Sequence, residues 1–373
     1  MSESPAVSQP VERIPLPKFN LDELDESECW WRDHQVWLAE RGYMLRPRFR
    51  PGWTPSWKAN PGKLTLLHED WHPILHPRIM DAVRIADDRL VMFKLIKKSH
   101  YPHELEITQF LADTTRADPR NHTVPILDVF DVHDDVDFTL IVMPLLRQCD
   151  RPKWKTVGEV VSFLCQVFEG MSFMHELHIA HRDCQAPNIM YDPSPMYPDM
   201  FHPRIQYKAR DWKGDAKHST RTARPVRYYF IDFGLSRKYN PEDGPPREMP
   251  IRGGDKTVPE FQNWAGESLD PFPTDIYYLG NMIRMHVMQR YFKTEFLAPL
   301  VDEMTCADPT KRPTIQQVVE RFDRLVKTIA SRKLRSRLIP RDEDPSETFF
   351  KNVAHAFRTA RYILTRKSAI PIP

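Results

Sequence analysis

The sequence predicts an α+β chain with a small strand-rich region followed by a larger helical one. Two observations predict it. Between residues 80 and 146 apolar residues come in short runs broken by turn residues, as in DAVRIADDRLVMFKLI, VPILDVF and FTLIVMPLL. After Pro152 the period changes: Phe163, Leu164, Val167, Phe168, Met171 and Met174 recur at three- and four-residue steps, predicting a helix buried on one side. The switch falls at 145–152, and HELEITQFLA reads as a short helix between the strand pairs.

The flanks read differently. Residues 1–23 are rich in Pro and Ser without apolar periodicity and are expected to form a flexible arm. Residues 24–79 carry Trp30, Trp31, Trp37 and Trp53 among Pro and Arg, a density that predicts packing onto the main body. The helical region spans 147–330 and includes a long segment, 192–226. Residues 201–227 hold eight Lys/Arg against two Asp, and residues 321–373 hold thirteen Lys/Arg against five acids. Solvated surface is the simplest account of both, with a docking surface for an acidic partner as the alternative for 192–226. In the basic C-terminal extension, 331–373, the residues Phe349, Phe350, Val353, Phe357 and Ile363 or Leu364 share one helical face, with Lys351, Arg358, Arg361 and Arg366 elsewhere; it is expected to pack against the helical region, with a basic amphipathic helix on an anionic membrane as the alternative.

Composition bounds the function. Of the 373 residues 41% are hydrophobic and 28% charged, the balance of a globular protein. A net charge of +2 gives no footprint for specific nucleic-acid binding. No unbroken apolar run approaches the roughly 18 to 20 residues of a bilayer-crossing helix, and the N-terminus has no secretory pattern, so an intracellular place, cytoplasmic or nuclear, is expected. The five cysteines form no CxxC pair and are expected as free thiols. Oligomeric state leaves no trace in these features.

Chemistry concentrates in two short motifs. HRDCQAPN at 181–188 follows the predicted long helix and sets His181, Arg182 and Asp183 on a loop, with Asn188 five residues after the aspartate. YYFIDFGLS ends an apolar strand on Asp232, Phe233 and Gly234, 49 residues after Asp183. A carboxylate able to take a hydroxyl proton, beside an amide oxygen and a second carboxylate able to hold a divalent cation, is the donor set that phosphoryl transfer requires.

With these motifs the chain resembles the eukaryotic-type protein kinase catalytic domain, over residues 80–325. The resemblance implies a bilobal fold, a β-rich N-lobe (80–146) and an α-helical C-lobe (147–330), that uses ATP and Mg2+. VMFK at 91–94 resembles the strand whose lysine, Lys94, meets the nucleotide phosphates. Glu104, preferred over Glu106, fits the helix glutamate paired with that lysine. In MPLL, Met143 fits the gatekeeper, Pro144 a carbonyl and Leu146 an amide facing adenine. Asp183 is then the catalytic base, Gln185 its loop neighbour able to hydrogen-bond the transferring phosphate, and Asn188 and Asp232 the magnesium ligands. VPE ending at Glu260, DIYYLG beginning at Asp275, and Arg312 resemble the parts that fix the C-lobe, with Glu260 and Arg312 as a buried pair.

The pattern also departs from that family. Leu64 to Asp87 contains no glycine, so the usual phosphate-covering loop is missing. Gln185 stands where serine/threonine kinases carry lysine, and Pro187 where tyrosine kinases carry arginine. Only nine residues separate Lys94 from Glu104, so the start of the helix between them is expected to be trimmed. Gly253 and Gly254 stand where a phosphorylatable threonine is common, and Arg182 is expected to pair with Glu242, Asp243 or Glu248 instead of a phosphate. The finer pattern is similar to the divergent kinase-like proteins of mushroom-forming fungi. The expectation is an ATP-dependent protein kinase, with serine or threonine preferred to tyrosine; the alternative is a pseudokinase scaffold for a partner. A small-molecule kinase of the aminoglycoside type would keep the aspartate–asparagine loop but lack VPE and Arg312.

Overall fold

A computed structural model describes residues 21–115, 118–251, 254–262, 264 and 266–373. Most of the expected arm, and Gly253, lie outside these. The chain divides into two compact units, Met1–Pro77 and Arg78–Pro373.

The first unit builds its own core from the Trp-rich segment. Helix α1 (Glu26–Asp33) opens on an Asp25–Glu28 capping box, and α2 (Gln35–Glu40) follows directly. Trp31, Leu38, Leu45 and Phe49 are completely buried, and beside them Arg48 Nη2 donates to Glu28 Oε2 at 2.9 Å with both side chains only 1% exposed. Arg48 also donates to the carbonyls of Leu21, Glu23 and Asp70, and Glu28 accepts from the Ile74 amide.

The second unit is mixed α/β, with a curled sheet and a helical region. In the sheet, β1 (Ile79–Arg84) and β2 (Arg89–Lys97) form a hairpin around residues 85–88. Helix α3 (Glu104–Thr115) intervenes before β3 (Asp128–Asp131) and β4 (Phe138–Pro144). All pairings are antiparallel: β2 lies between β1 and β4, and β3 joins the far side of β4. The expected strand VPILDVF is extended in ladder form only from Asp128, because the Val124 amide is taken by the Phe230 carbonyl instead.

A second small sheet joins β5 (Arg147–Gln148), β6 (Ile189–Tyr191) and β7 (Tyr228–Phe230), with β6 in the middle. The long helix α4 (Val157–Glu176) is capped by the Thr156 hydroxyl. It was expected to bury one side; nearly every residue from Val157 to Met174 is buried. The reason is distant in sequence. The C-terminal residues lie across α4, Ser162 Oγ donating to the Pro371 carbonyl at 2.6 Å, and Gly158 has no room for a side chain because a Cβ would meet the Ala369 oxygen. By length and composition α4 is the one described helix apolar enough to cross a membrane, yet 83% of its span is buried in the protein.

Helices α5 (Pro271–Ile283), α6 (Ile315–Thr328) and α7 (Pro345–Leu364) complete the described long helices. Segment 192–226 lies on the helical region. Arg221, expected as surface charge, is buried, donating to the carbonyls of Cys149 and Pro152, while Thr222 donates to Glu159 on α4. The expected packing of the α7 apolar residues is overturned: α7 buries none of its residues, and Phe350 and Phe357 are about three-quarters exposed, at 74% and 75%. All five cysteines are free thiols.

Candidate active site

Lys94 sits on β2 opposite Ile141 of β4, so its position along the hairpin is set by ladder register. Its ammonium donates to two carboxylates, Glu104 Oε1 at the start of α3 and Asp232 Oδ1 at 2.8 Å. Of the two glutamates weighed, Glu104 takes the lysine. Its carboxylate is 2% exposed, and Oε2 has no hydrogen-bond partner among the described residues. Burial pushes the Glu104 carboxyl up, against the pull of Lys94. For Lys94 burial disfavours the charge, but Glu104 and Asp232 together hold the ammonium above its ordinary value.

Asp232 follows β7 and has φ +65°, a left-handed conformation uncommon for a residue with a Cβ. Its side chain is half exposed. What burial it has works to raise its carboxyl; Lys94 overrides this and holds it below the usual carboxylate range. Phe233 is buried against the ring of His181. Gly234 is small for a reason: a Cβ there would press on the Asp232 and Glu104 carboxylates at 3.3 Å and on Tyr101 at 3.2 Å. The glycine also donates its amide to Asp232 Oδ1 at 3.4 Å.

The loop bearing Asp183 is held from below by one carboxylate. Asp275, in α5 and fully buried, accepts the backbone amides of His181 at 2.8 Å and Arg182 at 2.7 Å, and lies 3.1 Å from His175 Nε2 of α4. His181 itself stands 3.2 Å from the Ile231 carbonyl, tying the loop to the residue before Asp232. Arg182, also left-handed at φ +66°, reaches the carbonyls of Leu235 and Met249 and lies 3.4 Å from Glu248, one of its three expected partners.

Asp183 is thereby presented at the edge of the loop with its oxygens partly engaged. Oδ2 accepts from Asn188 Nδ2 at 2.8 Å; Oδ1 accepts from Gln185 Nε2 at 2.6 Å and from the Gly254 amide at 3.2 Å. Gln185 was expected to hydrogen-bond a transferring phosphate; in the structure one of its amide hydrogens points at Asp183. A Cβ on Gly254 would collide with that Gln185 amide, so this glycine permits the close approach. Burial pushes the Asp183 carboxyl up, and the Gly254, Gln185 and Asn188 donors only partly offset it. Asn188 spends its amide nitrogen on Asp183, at the carbonyl as well as Oδ2, which turns its side-chain oxygen elsewhere. Its own carbonyl accepts the Ile231 amide, so Asn188 and Asp232 are neighbours.

Over 128 residues the chain is 25% identical to the serine/threonine-protein kinase pkn3 of Myxococcus xanthus. That stretch is 33% of this chain and 23% of that protein. No protein-family profile matches. The chain is thus similar, over a third of its length, to a serine/threonine kinase.

Met143 and Pro144 end β4, paired with Met92 and Val91 of β2, and Leu146 is buried just beyond. Glu260 and Arg312 meet in a two-point contact at 2.8 and 2.6 Å, with the guanidinium fully buried and also bonded to the Cys306 and Pro273 carbonyls. The glycine-free turn carries Asp87 and Asp88. Arg84 holds the Asp87 carboxyl down to about 2, and Arg210, from segment 192–226, grips both oxygens of Asp88 at 2.9 and 2.6 Å. Sequence reasoning missed His175, the Gly254 amide and Arg210. None belongs to a short motif, and each acts across more than 70 residues of chain.

Proposed function

We propose that the chain is an ATP-dependent protein kinase of bilobal fold, transferring the γ-phosphate to a serine or threonine hydroxyl of a protein substrate. In this reading residues 80–146 form the N-lobe and 147–330 the C-lobe, with 192–226 an insertion. The observation that carries it is the Lys94 ammonium shared between Glu104 and Asp232, a cation kept charged and only 17% exposed at the junction of sheet, helix and loop. A structural pair has no use for a second carboxylate; a phosphate-binding lysine needs one nearby that a metal can take over.

The donors left over fit Mg2+. Asp232 Oδ2 and the Asn188 side-chain oxygen are hard oxygen ligands, and both remain once the hydrogen bonds of Asp232 Oδ1 and Asn188 Nδ2 are made. When bound, Mg·ATP supplies the phosphoryl group and the neutralisation of its charge. This chain's own residues do the rest. Lys94 binds phosphate oxygens, Glu104 keeps the lysine in place, and Asp183 accepts the substrate hydroxyl proton on a free lone pair of Oδ2. Gln185 and the Gly254 amide orient that carboxylate. Arg84 and Arg210 neutralise Asp87 and Asp88, so the glycine-free turn presents little net negative charge to a nucleotide.

The test follows labelled phosphate from Mg·ATP onto the protein and onto a mixed protein substrate. Wild type should label, and Asp183→Asn should fall by about a hundredfold or more. Equal labelling would remove Asp183 from the chemistry, and none in either, with nucleotide bound, would leave a scaffold.

A further inference from the structure

Helix α7 is turned inside out. At 100° per residue Phe349, Phe350, Val353, Phe357 and Leu364 share one face, with Ile363 at its border. That face looks outward: the exposures are 69% for Phe349, 74% for Phe350, 75% for Phe357 and 83% for Leu364. The polar face is the one that holds the helix to the protein. Asn352 accepts from Arg337 Nε at 2.8 Å, His355 Nε2 lies 3.1 Å from the Arg335 carbonyl, and the Tyr362 hydroxyl meets Thr220 at 2.6 Å. An amphipathic helix in water normally does the reverse, and three exposed phenylalanines on one strip carry a standing cost in apolar surface.

Charge says what would cover it. Residues 345–373 contain Lys351, Arg358, Arg361, Arg366 and Lys367 against one acid, Glu347, which Lys351 already pairs. Among the described residues no carboxylate lies within ion-pair distance of Arg358, Arg361, Arg366 or Lys367. Arg361 follows Phe357 by one helical turn, so an unpaired cation borders the aromatic strip, and Arg366 and Lys367 follow just beyond the end of the helix. A second copy of the chain would bring those cations against their own kind; an anionic surface would neutralise them.

We infer that α7 is a peripheral membrane anchor, laying Phe349, Phe350, Phe357 and Leu364 into the acyl boundary of an anionic bilayer while Arg361, Arg366 and Lys367 meet its headgroups. A helix of this type lies in the plane of the interface and does not cross it. Its polar side remains bonded to the rest of the second unit, so docking requires no unfolding.

The test uses the full chain and sedimenting vesicles of phosphatidylcholine alone, or of two parts phosphatidylcholine to one part phosphatidylserine. The mixed vesicles should retain the protein at least about tenfold better than the neutral ones. Phe350→Ser with Phe357→Ser should abolish retention without changing the melting temperature, since both side chains are already in solvent. Arg361→Glu with Arg366→Glu should bring retention on the mixed vesicles down to the neutral level. No preference for the mixed vesicles, or retention unaffected by the double serine variant, overturns the inference. So does a wild-type dimer in light scattering that the serine variant converts to monomer, which would assign the strip to a second copy.

Discussion

Two buried ion pairs, one in each unit, look alike by residue type and differ in what surrounds them. In the first unit Arg48 and Glu28 are each 1% exposed and complete: the guanidinium meets both carboxylate oxygens and three backbone carbonyls, and the carboxylate takes a backbone amide besides. In the second unit Lys94 and Glu104 are incomplete. The lysine is divided between two acids, and Glu104 keeps one buried oxygen with no partner among the described residues. A pair whose every hydrogen-bonding site is used can only hold the fold together. A pair with a spare oxygen and a competing acid can exchange partners, which a binding site needs.

The largest effect expected from this contrast is on stability. Arg48→Met strands a fully buried carboxylate and should cost about 3–5 kcal/mol, read by urea titration of the tryptophan fluorescence around Trp31. Lys94→Met should cost less, under about 2 kcal/mol, because burial already raises the Glu104 carboxyl and prepares it to accept a proton. In the proposed reading the same substitution should lower phosphate transfer by about 10²–10³-fold, since it would remove the cation assigned to the nucleotide phosphates. If Lys94→Met proves as destabilising as Arg48→Met, the two pairs are the same kind of object and the contrast fails.

Asp183 sharpens the contrast through pH. Its folded carboxyl lies above the ordinary value, so the folded state binds that proton more tightly than the unfolded chain does. Stability from this group is therefore present at acid pH and declines as pH rises from the unfolded carboxylate value, about 3.9, through the raised folded one. Asp183→Asn should remove that decline, leaving a protein at least as stable as wild type at neutral pH while labelling collapses. A lower melting temperature for Asp183→Asn at neutral pH would contradict the assignment. The acid limb of the labelling rate should fall at a higher pH than an unperturbed aspartate gives.

What the sequence made legible follows the range of the forces involved. The β1–β2 hairpin and α3 came from period and turn residues, which act over a few positions. The motif residues around Asp183 and Asp232 were legible as residues. Their restraints were not: the Asp275 carboxylate gathers amides from more than 90 positions away, and the Gly254 amide reaches Asp183 across 71. The same limit explains the misjudged helices. α4 is covered by residues 369–371, and α7 docks by its polar side because the Arg335 carbonyl, Arg337 and Thr220 offer it better partners than any apolar surface. A helical wheel records which residues share a face and is silent on which face the fold will use.

The smallest effect concerns the turn at 85–88. Arg210→Ala removes an exposed ion pair with Asp88 and should change stability by less than about 1 kcal/mol. If the turn covers nucleotide, the KM for Mg·ATP should rise about two- to tenfold with kcat nearly unchanged, because only ground-state binding is touched. A change in kcat alone would place the turn elsewhere in the reaction.

Nucleotide binding by the Lys94 pair remains the proposal on which the other effects rest. It is tested most directly by melting wild type and Lys94→Met with and without millimolar Mg·ATP, since any ligand preferring the folded state raises its melting temperature. Wild type should show a clear rise and Lys94→Met none, from baselines that differ little. No rise in wild type, or an equal rise in both proteins, would contradict it.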